Sequence, residues 1–302
     1  MAGLQVEDAA LITKDLPYRP PYQWDRLLGF LEGRAIDGVE VIRDRSYWRV
    51  VREDTKEGQA LTGWIRVSDH PSGNHLRLSL PKSLLTVLPQ VERKVSRMFD
   101  IDCDPEAIYD HLRSMNETKA GLCVPGTRVP GTYDVFEMCV RAILGQQITV
   151  KAARTLASRL ASFFGETVET GIESLTRAFP HILSILDLGD TVSDTLGPLG
   201  VMGQRSRTIF ALAELIRDGV LDPEGAQAAE SRIETLMKVK GIGPWTAQYL
   251  AMRALKWPDA FPATDYGVKK VLEPRTQDEI RKLSDTWRPW RAYATINIWN
   301  SR

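Results

Sequence analysis

"KGIGPWTAQYLAMRALKWPDAFPATDYGVKK", residues 240–270, holds two glycines one residue apart, a proline opening a helix, and an aspartate at the head of the next helix. The segment before it, "SRIETLMKV" (231–239), has helical apolar spacing, so the glycines form the turn of a helix–hairpin–helix. Gly241 and Gly243 can take positive φ and let a phosphate approach the backbone. Pro244 suits the first helical position, where its missing N–H is no loss. The free N–H groups of that first turn favour an anion, and Lys238 and Lys240 add charge beside it. On the entering side the carbonyls of Met237, Val239 and Gly241 can hold a monovalent cation. A Gly-x-Gly turn alone is equally compatible with a plain helix–helix connection.

The residues that follow bear on the choice. Trp245 and Tyr249 lie four apart on one helix face, a spacing found more often in cores than in ligand boxes. Asp265 has two readings. It is a helix N-cap, the commonest role for such a residue, or an acid aimed at a developing positive charge.

The rest of the chain frames this stretch. At 302 residues it is long enough for two domains, and its 43% apolar and 26% charged content is that of an ordinary globular protein. Its 39 basic and 39 acidic residues cancel, which argues against a sequence-blind nucleic-acid coat. The stretch 141–159 nevertheless carries Arg141, Lys151, Arg154 and Arg159 with no acid, a pattern that suits gripping a few phosphates or a solvated helix face. Three widely spaced cysteines fit a reducing cytosol and argue against a disulfide framework or zinc ribbon. The acidic, mixed start does not read as a signal peptide, and no apolar run is long enough to span a bilayer.

Residues 1–18 read as a loose leader. Short β-rich runs follow ("VEVIRD", "SYWRVVRED", "QALTGWIRV", "HLRLSL"), flanked by amphipathic helices at 23–35 and 81–101, giving an N-terminal α+β domain over 19–110. Residues 111–302 read as an all-helical domain. Its expected boundaries are Thr149 and Gly165 around one helix, Gly219 closing another, and capping boxes at Ser231–Glu234 and Thr276–Glu279. The fold class is therefore α+β: an antiparallel sheet with flanking helices, then a helix–hairpin–helix domain.

The stretch 240–270 resembles the signature of the helix–hairpin–helix DNA glycosylases, within them most nearly the AlkA-type 3-methyladenine DNA glycosylase II. "RAILGQQITVKAARTLASRL" (141–160) is similar to that family's minor-groove element. "WRPWRAYATINIW" (287–299) resembles its C-terminal helix, and "PPYQWDRLLGFL" (20–31) the opening of its β-rich domain. The likeness runs in order from about residue 20 onward. It implies a catalytic Asp265 and an aromatic base pocket of Phe30, Trp245, Tyr249 and Trp299. It also implies DNA contacts at Gln146, Gln147, Lys240, Gly241 and Gly243, and a monovalent cation (Na+ or K+) on the carbonyls of Met237, Val239 and Gly241. Two positions depart from the pattern: Gln147 stands where an apolar wedge is usual, and Thr264, not a second acid, precedes Asp265.

The resemblance implies base excision from double-stranded DNA by a cytoplasmic monomer with no catalytic cofactor and no membrane partner. Strand-cutting relatives carry a Schiff-base lysine just after the hairpin; that position is Trp245 here, which points to a monofunctional enzyme. A single carboxylate suffices when the leaving base is already cationic, as an N-alkylated purine is, and electron-rich rings favour such a base. The alternatives are an oxidised-base (8-oxoguanine-type) glycosylase and a non-catalytic DNA-binding module.

Overall fold

The computed structural model describes residues 11–301. Five strands form one antiparallel sheet in the order β1-β5-β4-β3-β2: β1 Leu11–Pro17, β2 Glu40–Arg43, β3 Ser46–Asp54, β4 Ala60–Asp69 and β5 His75–Pro81. The last four coincide closely with the β-rich runs in the sequence; apolar side chains alternate cleanly in β5, while β3 is buried on both faces. The first does not follow expectation. Leu11–Pro17, read as part of a loose leader, pairs with β5 over its whole length, from Leu11 opposite Pro81 to Pro17 opposite His75. It is an edge strand whose centre, Thr13-Lys14-Asp15, faces solvent, so it lacks the apolar alternation that marks a strand. Residues 1–10, the rest of that expected leader, lie outside the described residues.

Tyr47, Ile65, Leu76, Leu78 and Leu80 are fully buried where the sheet packs on α1 (Trp24–Glu32) and α2 (Leu88–Phe99). The helix expected over 81–101 is split. Lys82–Val87 is a 3-10 turn, and the α-helix restarts at Leu88 with Pro89 in its first turn, where proline's missing N–H cannot carry a hydrogen bond back into a preceding turn. Next come α3 (Pro105–Leu112) and α4 (Met115–Thr118). From Ile108 onward most buried side chains join a second, mainly helical core, while Ile172, Leu175 and Ala178 pack on the other face of the sheet against Trp48, Val50 and Trp64.

That core is built by α5 (Val135–Leu144), α6 (Val150–Phe164), α7 (Ile182–Leu186), α8 (Val192–Leu196), α9 (Gln204–Arg217), α10 (Ala229–Lys238) and α11 (Pro244–Arg253), then α12 (Tyr266–Val271), α13 (Gln277–Asp285) and α14 (Arg291–Asn300). Thr149 caps α6 through the Ala152 N–H, and Thr276 with Glu279 forms the expected capping box on α13. Two cap expectations fail. Helix α10 begins two residues before Ser231, so Ser231 and Glu234 lie inside it and Ala228 is its uncapped start. Gly165 is not left-handed (φ −73°). A side chain there would come within 2.3 Å of the Ala178 carbonyl, so close packing is what demands glycine.

A buried charge network joins the two units. Arg49 on β3 donates to Glu137 on α5 (2.7 Å), and Arg141 binds both Glu137 (2.7 Å) and Glu40 on β2. Arg141 therefore leaves the set expected to grip phosphates: its side chain is only 16% exposed and already paired. Near the chain's other end, Asp259 accepts two hydrogen bonds from Arg291 (2.6 and 2.8 Å), which ties the start of α14 to the loop after α11.

Candidate active site

Helices α11, α12 and α14 converge on Asp265. Its Oδ1 accepts from the Val268 N–H (3.0 Å), so Asp265 is the N-cap of α12. The same oxygen accepts from Trp299 Nε1 on α14 (2.9 Å), and Oδ2 accepts from Trp245 Nε1 on α11 (2.9 Å). The N-cap reading of this aspartate is therefore realised, and its carboxylate also accepts from two indoles. Three N–H donors from three helices fix its orientation, and hydrogen bonds to a carboxylate are the stronger kind.

The carboxylate lines a cavity of about 930 Å³, together with all four aromatic residues expected around it: Phe30, Trp245, Tyr249 and Trp299. Trp245 stacks on Tyr249 (centroids 5.0 Å apart, planes 11° from parallel), as residues four apart on a helix should. Phe30, from α1 of the sheet unit, lies parallel to Trp299 at 6.2 Å. The cavity therefore straddles both units. Tyr266, next to Asp265, also lines it while remaining 69% exposed.

Two arginines in this wall were not singled out in the sequence. Arg34 lies over the Phe30 ring, 3.7 Å from its centroid, and donates to the Phe30 carbonyl (3.0 Å). Arg253, buried, lies 4.8 Å from the Phe30 centroid and donates to the Tyr249 hydroxyl (2.9 Å) and the Gly131 carbonyl (3.1 Å). Each follows a pocket aromatic by four residues, Tyr249 to Arg253 on one face of α11 and Phe30 to Arg34 across the end of α1. That spacing was the available signal. Burial pushes the Tyr249 phenol up, but Arg253, Arg34 and Arg141 outweigh it and leave the group below its ordinary value. Burial, with Arg34 and Arg141 nearby, lowers Arg253.

Beside the cavity lies the hairpin. Gly241 takes φ +95°, and a Cβ there would meet the Thr208 hydroxyl at 2.4 Å, so glycine is required on both counts. Gly243 does not need positive φ (φ −96°); nothing lies within 4 Å of where its Cβ would be, which leaves the backbone open on that side. Helix α11 starts at Pro244, so its first N–H groups have no acceptor within the helix. Lys240 is exposed, and its carbonyl accepts from Thr208 and Gln204. Gln146 braces the hairpin: its amide donates to the Gly241 carbonyl (2.9 Å) and to Thr246 Oγ1 (3.1 Å). Gln147 is exposed, in the left-handed conformation (φ +56°), on the loop between α5 and α6. The Val239 carbonyl accepts from the Ile242 N–H (3.0 Å). One lone pair on Val239 and on Gly241 is thus in use, and each keeps a second, as a carbonyl donor set for a monovalent ion requires.

A family model described as the AlkA N-terminal domain matches residues 13–134. The DNA-3-methyladenine glycosylase 2 of Escherichia coli is 33% identical over 284 residues, covering 94% of this chain and 95% of that protein. The chain belongs to the AlkA family of DNA-3-methyladenine glycosylases. A Mycobacterium tuberculosis relative, named "Probable bifunctional transcriptional activator/DNA repair enzyme AlkA", is 35% identical over 97% of this chain, which spans 58% of that protein's length. Among solved structures, the 3-methyladenine DNA glycosylase of Archaeoglobus fulgidus shares the fold at a TM-score of 0.70 and 20% identity, over 95% of this chain and 97% of that one. Among the described residues, no helix is long and apolar enough to cross a membrane.

Proposed function

We propose that the protein is a monofunctional DNA glycosylase of base excision repair, which flips alkylated purines such as 3-methyladenine and 7-methylguanine out of duplex DNA and hydrolyses their N-glycosidic bond. The observation that carries this reading is the Asp265 carboxylate, held by Trp245 and Trp299 in an aromatic cavity wide enough for a base. As cleavage proceeds the sugar gains oxocarbenium character, and a fixed carboxylate stabilises that charge without reorganising. Its three N–H partners orient it as an acceptor; none of them is a base that could relay a proton.

No lysine lines the cavity among the described residues. Lys256, the first lysine after the hairpin, is held by Asp100 (2.6 Å) and the Val129 carbonyl (3.1 Å). This favours simple hydrolysis, leaving an abasic site and an intact strand, over the lyase chemistry of oxidised-base enzymes. A cavity that gathers four aromatic rings around a carboxylate likewise goes beyond what a binding module needs.

The hairpin N–H groups, exposed Lys240 and the N-terminal turn of α6 would hold the DNA backbone, with Gln147 as the wedge filling the flipped base's gap. A monovalent cation on the Met237, Val239 and Gly241 carbonyls would add positive charge toward a phosphate. The protein would act as a monomer on double-stranded DNA.

Methylated duplex DNA tests this reading. Wild-type protein should release methylpurines, with strand breaks appearing only after alkali treatment. Asp265→Asn should lower release by at least about a thousandfold while still binding an abasic duplex, since transition-state charge stabilisation is the largest single catalytic contribution. Full activity of that variant, or alkali-independent nicking, would overturn the reading.

A further inference from the structure

Gln147 holds a backbone conformation that its residue type rarely adopts. A φ of +56° favours glycine and, after it, asparagine or aspartate; elsewhere it persists only where the surroundings fix it. The Gln147 side chain is exposed and makes no hydrogen bond among the described residues, so the restraint comes through the neighbouring chain. On one side Thr149 caps α6. On the other, the Gln146 carbonyl accepts from Arg205 Nη2 on α9 (2.6 Å). That carbonyl belongs to the peptide group joining Gln146 to Gln147. Because the group is planar, fixing its plane fixes φ of Gln147. The Gln146 amide pins the same residue a second time, on the Gly241 carbonyl and Thr246 Oγ1. Helix α9 also reaches the hairpin, where Gln204 Nε2 (3.0 Å) and Thr208 Oγ1 (2.8 Å) both donate to the Lys240 carbonyl. One helix therefore holds the loop that carries Gln147 and the turn expected to grip a phosphate in a fixed relation to each other.

We infer that Arg205 is a positioning residue for base flipping: by holding the Gln146–Gln147 peptide group it keeps the wedge in its left-handed pose, in register with the hairpin. A hydrogen bond from a guanidinium is the stronger kind and is comparable with the backbone strain it opposes. Without it the peptide group turns, Gln147 relaxes to negative φ, and its side chain leaves the direction set for it. An arginine that served only as a phosphate contact would behave differently. Its loss would weaken binding to every duplex alike and make binding less dependent on salt.

This inference rests on the excision activity and the wedge role proposed above, and the experiment separates them. The assay is single-turnover release of 7-methylguanine placed opposite cytosine or opposite a mismatched base. Arg205→Met should slow release from the stable pair about tenfold, the scale of one lost charge-assisted hydrogen bond, and slow release from the mismatch less. The deciding comparison repeats that change in two other backgrounds. With Gln147→Gly, the wedge and its strain are both gone, so adding Arg205→Met should change release by less than about twofold. With Gln147→Asn, a residue that takes the left-handed region more readily, the loss should be intermediate. A tenfold loss in the Gln147→Gly background would overturn the inference, and a variant that merely misfolds gives that result. Equal losses from paired and mismatched lesions, or a loss wholly matched by weaker binding to undamaged duplex, would overturn it as well. Failure of the wild-type protein to release any methylpurine would instead refute the excision reading itself.

Discussion

Replacing Trp299 by phenylalanine would keep an aromatic ring against Phe30 and Tyr249 but delete the indole N–H on Asp265 Oδ1. That oxygen would retain the Val268 N–H, so the cap on α12 survives and the helix does not unravel. A hydrogen bond to a charged acceptor contributes about 1.5–3 kcal/mol, and Trp299 is only half-buried, which favours the lower end. At about 1.4 kcal/mol per tenfold in rate, Trp299→Phe should slow single-turnover excision by roughly tenfold. Trp245→Phe should do the same through Oδ2. The double variant should fall short of the full product, because both donors act on one carboxylate. The assay is single-turnover release of 7-methylguanine, read beside affinity for an abasic duplex. Unchanged excision by Trp299→Phe, or a loss wholly accounted for by weaker DNA binding, would refute the claim that the indoles position the acid.

Other outcomes follow from the same geometry. Gln147→Ala should lower excision from stable pairs more than from mismatched ones, since a wedge matters most where unstacking is hardest; equal effects on all opposing bases would dismiss the wedge role. Gly241→Ala should weaken DNA binding and destabilise the fold by at least about 1–2 kcal/mol, from the left-handed backbone alone, before its clash with Thr208 is added; urea denaturation and a binding titration would show it. Asp259→Ala should cost about 3 kcal/mol of stability by removing the close partner of Arg291, whose other acid, Asp285, lies 4.0 Å away, with loss of excision tracking loss of α14 docking. For Glu40, burial raises the carboxyl, but Arg141, Arg49 and the hydrogen bonds from Tyr47 and Arg141 outweigh it and hold it below its ordinary 4.5. Its stabilising contribution is therefore complete above about pH 4.5 and disappears as pH falls through the lower folded value. Melting temperature should be flat from neutral to pH 5 and drop below that, and Glu40→Gln should melt lower at pH 7 with a shallower acid limb.

Much of this architecture could be read from local pattern. Strand β5 shows in its alternation, β3 in its β-branched and aromatic residues, the hairpin in Gly-x-Gly-Pro, and α13 in its Thr276–Glu279 box. These signals lie within a few residues of one another, where chain geometry alone decides. What escaped depends on partners far along the chain. Strand β1 has a polar centre and becomes a strand only because β5 offers an edge. Arg141 stands in a run of bases that looks solvated, and its acids, Glu40 and Glu137, come from other elements. Arg34 and Arg253 carried no local signal beyond following an aromatic residue by four. At Asp265 the sequence indicates the cap on α12, but not the two indoles that share the carboxylate, because Trp245 and Trp299 come from helices far apart in the chain.

That sharing has a consequence for when the site comes into being. Phe30 leaves the ribosome early, Trp245 and Asp265 more than two hundred residues later, and Trp299 after a further 34 residues. A nascent chain that stops short of α14 can cap α12 and stack Trp245 on Tyr249. Its carboxylate then keeps the Val268 N–H and one indole, with one wall of the cavity missing. The full set of donors assembles only when α14, the last helix to be made, docks against α11 and α12.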